Sequence, residues 1–144
     1  MSSTPYESAT LLIRLYELRR EPTMREARNW YSRSFHPGSI EEVVQALSGP
    51  NSAHFRMVTS YWDMAASFVA NGAIDETMFN EANGEHTIVF SRIEPFVAEY
   101  RQRMGNAAYL ASLEKIVMKA PGSRERMASL RDRFKAMAAA AATK

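Results

Sequence analysis

The sequence predicts an all-α fold, and three observations support this prediction. Apolar residues recur with the 3.6-residue period of a helix along most of the 144 residues. No segment alternates apolar and polar residues over more than a few positions, as a half-buried strand would. Thr4, Thr23 and Ser39 each stand three residues before a glutamate, in the capping box that starts helices. We therefore expect one domain over residues 1–144, a bundle of seven to eight helices with its core at about residues 6–119.

Three helices are expected in the first third of the chain. The first begins at Thr4 and is ended by Pro22. Its buried side is predicted to consist of Leu11, Leu12, Leu15, Tyr16 and Leu18. The second helix begins at Thr23 and ends in the His-Pro-Gly turn at residues 36–38, and a short third helix begins at Ser39.

The helix expected at about residues 51–71 is predicted to lie at the centre of the bundle. It carries two adjacent apolar stripes, which consist of Phe55, Val58, Trp62, Ala65 and Val69 and of Met57, Tyr61, Met64 and Phe68. Its polar residues form one narrow line, made of Arg56, Ser60, Asp63 and Ser67. A helix with so little polar surface must be covered on most of its circumference. We expect Asn51 to cap its start and Gly72 to follow its end in a left-handed conformation.

The helical pattern continues after the central helix in four further segments. Asp75 is expected to cap a short one. The segment at residues 86–104 contains Pro95, which predicts either a kink or a break near this position. Asn106 is expected to cap the next segment, and the last helix is expected at about residues 124–140.

Composition excludes several classes of protein. Hydrophobic residues make up 46% and charged residues 24% of the chain, which is enough apolar material for a core and argues against disorder. The net charge of +2 is too small to indicate binding to nucleic acid or anionic lipid by itself. The absence of cysteine excludes disulfides and thiolate metal sites. Because we find neither a signal peptide pattern nor an apolar run of about 18 residues, we expect a cytoplasmic protein without a membrane span.

No motif in the sequence indicates a familiar catalytic or metal site. The glycine motifs of hydrolases, P-loop proteins and dinucleotide-binding folds are missing. His36, His54 and His86 have neither the spacing of zinc proteases nor that of di-iron bundles. We therefore expect the histidines to be capping, surface or packing residues, and we predict no metal and no cofactor. Because no catalytic motif is recognised, we expect a protein without enzymatic activity.

Asp63 is the acidic residue of greatest interest, because it lies on the most buried helix. A carboxylate there needs a partner, since an unpaired buried charge costs several kcal/mol. One hypothesis is an ion pair or hydrogen-bond anchor with an arginine of a neighbouring helix, such as Arg28 or Arg101. The other is a ligand-binding carboxylate in an aromatic pocket formed with Tyr61 and Trp62.

The C-terminal third is basic and has two interpretations. Its positive residues are Lys115, Lys119, Arg124, Arg126, Arg131, Arg133 and Lys135. They form either a solvated helix face, partly balanced by Glu125 and Asp132, or a surface that binds nucleic acid weakly, a membrane surface or the groove of a partner protein. A helix-turn-helix at residues 39–61 is disfavoured because its second helix offers only Arg56 for reading bases.

The last helix is also a candidate for self-association. Its apolar residues are Met127, Leu130, Phe134 and Met137. Because few neighbouring elements remain to bury this side, a second copy of the chain is a plausible cover. We therefore predict a homodimer or a complex with another protein.

Five segments of the chain carry a resemblance through their order and spacing: residues 10–17, 24–28, 60–65, 72–75 and 93–97, with Arg101. In this order they are similar to a bacterial family of all-helical domains of unknown function that often follow an N-terminal membrane helix. The resemblance implies an all-helical fold and no known activity, and it suggests that Arg28, Asp63 and Arg101 form a polar cluster. This sequence has Asp63 where the family more typically has glutamate, and we expect it to lack the membrane helix.

These observations favour a non-enzymatic protein that acts by associating with itself or with another protein. A small-molecule binding or sensing domain, with a pocket near Asp63, is the first alternative. Weak binding of nucleic acid through the basic C-terminal third is the second.

Overall fold

The computed structural model describes residues 2–143, which contain helices, turns and no strand. In chain order the helices are α1 (Pro5–Arg19), α2 (Pro22–Arg33), α3 (Ile40–Ser48), α4 (Ser52–Ala70), α5 (Glu76–Ala82), α6 (Glu85–Ile93), a 3-10 turn (Glu94–Phe96), α7 (Val97–Met104), α8 (Ala111–Val117) and α9 (Ser123–Ala142). The predicted all-α fold is therefore confirmed.

Of the three residues predicted to begin a capping box, two cap a helix as expected. At the start of α1, the Thr4 hydroxyl accepts a hydrogen bond from the Glu7 N–H at 3.2 Å. The Glu7 carboxylate in turn accepts from the Thr4 N–H at 2.9 Å, which completes the capping box. At the start of α3, the Ser39 hydroxyl accepts from the Glu42 N–H at 3.3 Å.

The predicted cap at Thr23 is wrong. Helix α2 begins one residue earlier, at Pro22, and the Glu21 carboxylate accepts from the Met24 N–H at 2.9 Å. Proline suits the first helical position because its missing N–H needs no partner there and its φ angle is already helical. Pro22 is therefore the first residue of α2, and Thr23 lies inside the first turn of this helix.

Helix α4 lies at the centre of the bundle, as predicted. It packs against α2, α3, α5, α6 and α8. Its buried residues are Phe55, Val58, Thr59, Tyr61, Trp62, Ala65, Ala66 and Val69. Gly72 follows its end with a φ angle of +80°, the left-handed conformation that glycine adopts most easily. Asn51 precedes its start, but its side chain makes no capping hydrogen bond.

Pro95 breaks its helix rather than kinking it. One 3-10 turn separates α6 from α7, so the two helices leave the turn as separate elements. Beyond α8, the last helix returns to pack on α6 and α2. One cluster of buried apolar side chains includes members from every helix, and it extends past the predicted end of the core to Met127 in α9.

Candidate functional site

The Asp63 carboxylate holds the start of α8. Its Oδ1 accepts a hydrogen bond from the Leu113 N–H at 3.0 Å. Helix α8 has no side-chain cap of its own, and the residue before it, Leu110, has a φ angle of +52° in the left-handed region. An N-terminal N–H of a helix needs an acceptor, and a carboxylate there also interacts favourably with the helix dipole. Asp63 of α4 therefore acts as a cap supplied from another helix.

Replacing Asp63 by alanine is expected to lower the free energy of unfolding by about 1 kcal/mol, the usual value of a helix cap. Asp63→Asn keeps an acceptor oxygen and should lose less. Urea unfolding of the two variants and the parent measures both differences. An alanine variant as stable as the parent would show that this hydrogen bond does not anchor α8.

Arg101 holds the same segment of chain as Asp63 but does not pair with it. Its guanidinium donates to the Glu114 carboxylate at 3.1 Å and to the Tyr109 carbonyl oxygen at 2.9 Å. Among the described residues, no lysine, arginine or histidine lies within salt-bridge distance of Asp63. The two side chains thus secure the beginning of α8 from two sides, and the predicted ion pair is not formed.

Arg28 lies in a different part of the bundle from Asp63 and Arg101. Its Nε donates to the Glu85 carboxylate at 2.9 Å, and its Nη1 donates to the Arg19 carbonyl oxygen at 3.3 Å. Glu85 is the first residue of α6, where a negative charge is favourable. The ion pair therefore joins α2 to the start of α6. The predicted polar cluster of three residues is divided, with Arg28 at one position and Asp63 with Arg101 at another.

Tyr61 and Trp62 do not line a pocket with Asp63. The Tyr61 hydroxyl donates to the Leu15 carbonyl oxygen of α1, and burial raises the pKa of Tyr61 to about 12. Trp62 is fully buried, with its ring 4.9 Å from that of Tyr61 and 6.4 Å from that of Phe79. Successive residues of a helix point about 100° apart, so three in a row cannot share one cavity. The aromatic residues predicted for a ligand site are core residues.

A groove does lie beside Asp63, with other aromatic side chains in its wall. Its volume is about 620 Å³, and its lining includes Phe55, Thr59, Asp63, Tyr100, Tyr109 and Leu110. The Tyr100 and Tyr109 rings lie 4.4 Å apart, and burial raises the pKa of both hydroxyls. Within the described residues, the buried Tyr109 hydroxyl makes no hydrogen bond of good geometry, although the Thr59 and Tyr100 hydroxyls lie close to it. A volume of this size and one unpaired polar group are typical of small-molecule sites.

His86 is a packing residue inside the bundle. It is buried against Phe79, at 4.8 Å between ring centroids, and its Nε2 lies 3.2 Å from the Asn80 side-chain oxygen. Burial, with a smaller contribution from the charge of Arg126, lowers the pKa of His86 to about 4. The imidazole is therefore neutral at pH 7.

Acidification should destabilise the fold through His86. As the pH falls from 6.5 towards 4, the unfolded chain binds a proton at this position that the folded chain does not bind. The contribution of His86 to the free energy of unfolding is complete above pH 6.5. It is lost as the pH falls to about 4, by about 3 kcal/mol in total. His86→Phe cannot titrate, so its unfolding free energy should fall less over this range than that of the parent. Parallel pH profiles would contradict the assignment.

Most of the apolar side chains of α9 that were predicted to form an interface pack against other helices of the same chain. Met127 is fully buried, Leu130 and Phe134 are half-buried, and only Met137 is largely exposed. The reason is that α9 folds back onto α6 and α2, which the sequence pattern does not indicate. An apolar groove of about 400 Å³ remains near Phe134 and Met137, at the end of α2.

A row of exposed large apolar side chains lies on α1 instead. Tyr6 is 82% exposed, Ile13 61% and Tyr16 53%. Steps of seven and three residues place the three side chains on one face of the helix. Of the predicted buried side, Leu15 is buried, Leu11 and Leu12 are partly buried, but Tyr16 and Leu18 are exposed. Apolar residues extend beyond the buried face of α1 on both sides of it, so the sequence pattern does not distinguish the covered apolar face from the open one.

Residues 2–143 offer neither a metal site nor a membrane-spanning helix. No group of three or more histidine, aspartate or glutamate side chains is placed to hold a metal ion in this part of the chain. None of its helices combines the length and apolar character that crossing a bilayer requires.

The comparisons with known proteins identify a family. Residues 6–120 match the sequence model described as Domain of unknown function (DUF4760). Neither the curated proteins nor the solved structures contain a significant match to this chain. Because the match spans most of the chain, this protein belongs to the DUF4760 family, and its resemblance to a family of unknown function is confirmed.

Proposed function

We propose that this domain is a self-associating interaction module and that the exposed face of α1, formed by Tyr6, Ile13 and Tyr16, is its contact surface. The observation that supports the proposal is the exposure of these three large apolar side chains in one row. Single exposed apolar residues are ordinary, but several on one face of a helix are typical of a surface that another protein covers. Two of the three are tyrosines, which are enriched in protein interfaces.

The chemistry of α1 favours a second copy as the partner. A two-fold axis through Ile13 would make the two α1 helices antiparallel and place the same residue of each copy at the centre. Tyr6 at one end of the row would then lie near Arg20 of the partner subunit at the other end. A guanidinium over an aromatic ring is a favourable pair, which Arg20 already makes with Tyr16 of its own chain at 5.8 Å. Antiparallel helices also place opposite ends of their dipoles together.

The size of the surface sets the expected affinity. Helix α1 has 15 residues and is therefore about 22 Å long. A single helix face of this length buries less than the roughly 800 Å² per partner of a standard stable interface. We therefore expect a reversible dimer that forms at micromolar concentrations, rather than an obligate one.

Sedimentation velocity over a concentration series tests the proposal. The parent should pass from monomer to dimer as its concentration rises into the hundreds of micromolar, and Ile13→Lys should remain monomeric. Leu18→Lys changes an exposed apolar residue on another face of α1, and Met137→Lys changes one on α9; both controls should dimerise like the parent. A parent that stays monomeric throughout, or a dimer lost only in Met137→Lys, would refute the proposed surface.

The groove beside Asp63 supports a second candidate function, the binding of a small molecule. Its specific support is the buried Tyr109 hydroxyl, which a ligand could satisfy. Native mass spectrometry of the purified protein should then show a bound species that is lost in Tyr109→Phe. Without a ligand, Tyr109→Phe should be as stable as the parent or more stable, because it removes an unpaired buried hydroxyl. An identical, ligand-free spectrum for both proteins would count against this function.

A further inference from the structure

Arg92 is a buried cation, and no acidic side chain in the described part of the chain pairs with it. It is 2% exposed and lies on α6. Its Nη1 donates to the carbonyl oxygens of Tyr31 and Phe35 at 2.8 and 2.7 Å, and its Nη2 donates to that of Ser32 at 3.3 Å. Its Nε–H is buried and has no acceptor among residues 2–143. A buried charge is normally paired, so this arrangement calls for an explanation.

The end of α2 accounts for part of the arrangement. Tyr31 and Ser32 lie in the last turn of α2, whose carbonyl groups lack helical partners and carry partial negative charge. Arg92 caps them, and its guanidinium also lies 5.2 Å from the Phe134 ring. These contacts satisfy the Nη groups of Arg92 with partial negative charges. They leave the Nε–H without an acceptor and the guanidinium without an acidic partner.

A small cavity beside Arg92 is lined by further positive groups. Its volume is about 40 Å³, and its lining consists of His36, Pro37, Arg92, Arg131 and Lys135. None of these side chains is acidic. The cavity volume exceeds the ~10–15 Å³ that one water molecule needs, so the cavity has room for a group of a few atoms.

The positive charge around the cavity is only partly balanced by neighbouring acids. Arg131 lies 3.6 Å from the Glu94 carboxylate, which Arg124 also approaches at 3.5 Å. Arg131 further donates to the Ser91 carbonyl oxygen at 2.8 Å. Within the described residues, neither Arg92 nor Lys135 has an acidic group within salt-bridge distance. Burial and the charges of Arg92 and Lys135 also lower the pKa of His36, as a net positive site would.

We propose that the cavity formed by His36, Arg92, Arg131 and Lys135 binds a small phosphate-type oxyanion. Arg92 would supply the buried positive charge, and Arg131 and Lys135, from successive turns of α9, would approach the anion from the opposite wall. Charge-assisted hydrogen bonds from guanidinium and ammonium groups are the strong contacts by which proteins hold oxyanions. The site joins the loop after α2 to α6 and α9, so a bound anion would also secure the last helix on the bundle.

Isothermal titration calorimetry with inorganic phosphate, at ionic strength held constant with chloride, tests the proposal. The parent should bind phosphate saturably with one site per chain. Lys135→Gln should weaken the binding about tenfold, the effect of losing one charged hydrogen bond. Arg133→Gln removes the same charge from an exposed position of α9 outside the cavity lining and should bind like the parent. Circular dichroism melts confirm that both variants fold.

Two results would overturn the proposal. The first is the absence of saturable phosphate binding to the parent. The second is an equal loss of affinity in Lys135→Gln and Arg133→Gln, because this result would indicate general attraction of phosphate to a basic surface. A second titration with a phosphomonoester distinguishes two forms of the proposal. Binding of the ester as well as the free anion assigns the site to the phosphate end of a larger ligand, whereas binding of phosphate alone assigns it to the free ion.

Discussion

Trp62→Ala is expected to lower the free energy of unfolding by about 3–5 kcal/mol, the range for removing a large aromatic side chain from a core. Trp62 is fully buried at the centre of α4, between the rings of Tyr61, Phe79 and His86. No neighbouring helix can close the space, because α4 is already packed on most of its sides. A loss of this size is a large part of the stability of a typical domain.

Chemical denaturation of Trp62→Ala and Trp62→Phe measures this effect. Trp62→Phe keeps an aromatic ring and removes the buried indole N–H, which has no partner among the described residues, so it should lose much less than alanine. A loss below about 1 kcal/mol for Trp62→Ala would contradict the central position of α4.

Arg92→Met is expected to lower the free energy of unfolding by about 3 kcal/mol, because it leaves three carbonyl groups at the end of α2 without their donor. Two effects oppose each other here. Methionine removes the cost of burying a charge, which favours the variant, but it restores none of the hydrogen bonds. We expect the lost bonds to dominate, since the carbonyl groups remain in place and cannot all reach water.

Arg92→Lys is the matched control for this prediction. Lysine keeps the charge but lacks the planar fork that reaches several carbonyl groups at once, so its stability should lie between those of the parent and Arg92→Met. Thermal and urea unfolding of all three proteins provides the comparison. If Arg92→Met were more stable than the parent, the cost of burying the charge would exceed the value of the bonds.

Local signals in the sequence predicted much of the fold. The two apolar stripes of α4 indicated its central position, and Thr4, Ser39 and Gly72 act at helix ends where short-range capping rules place them. Pro95 marked the separation of α6 from α7. The predicted cap of α2 is wrong because Pro22 does more than end the first helix: proline also suits the first position of the next helix.

The partners of polar residues could not be predicted in the same way. Asp63 meets a backbone N–H fifty residues away, and Arg28 meets Glu85 across 57 residues, as a result of how the helices pack. Sequence periodicity predicts which face of a helix is apolar, but it does not predict which other helix covers that face. For this reason the exposed row on α1 and the buried position of Arg92 were both missed.

Disulfide trapping at residue 13 tests the proposed interaction surface most directly. The chain has no cysteine, so Ile13→Cys introduces a single thiol per molecule. The proposed two-fold arrangement would bring the two copies of this residue together, close to the short Cα separation that a disulfide requires. Under mild oxidation at micromolar concentration, Ile13→Cys should form a covalent dimer much faster than the exposed control Met137→Cys. Equal rates of cross-linking, or faster cross-linking through Met137→Cys, would contradict an interface formed by α1.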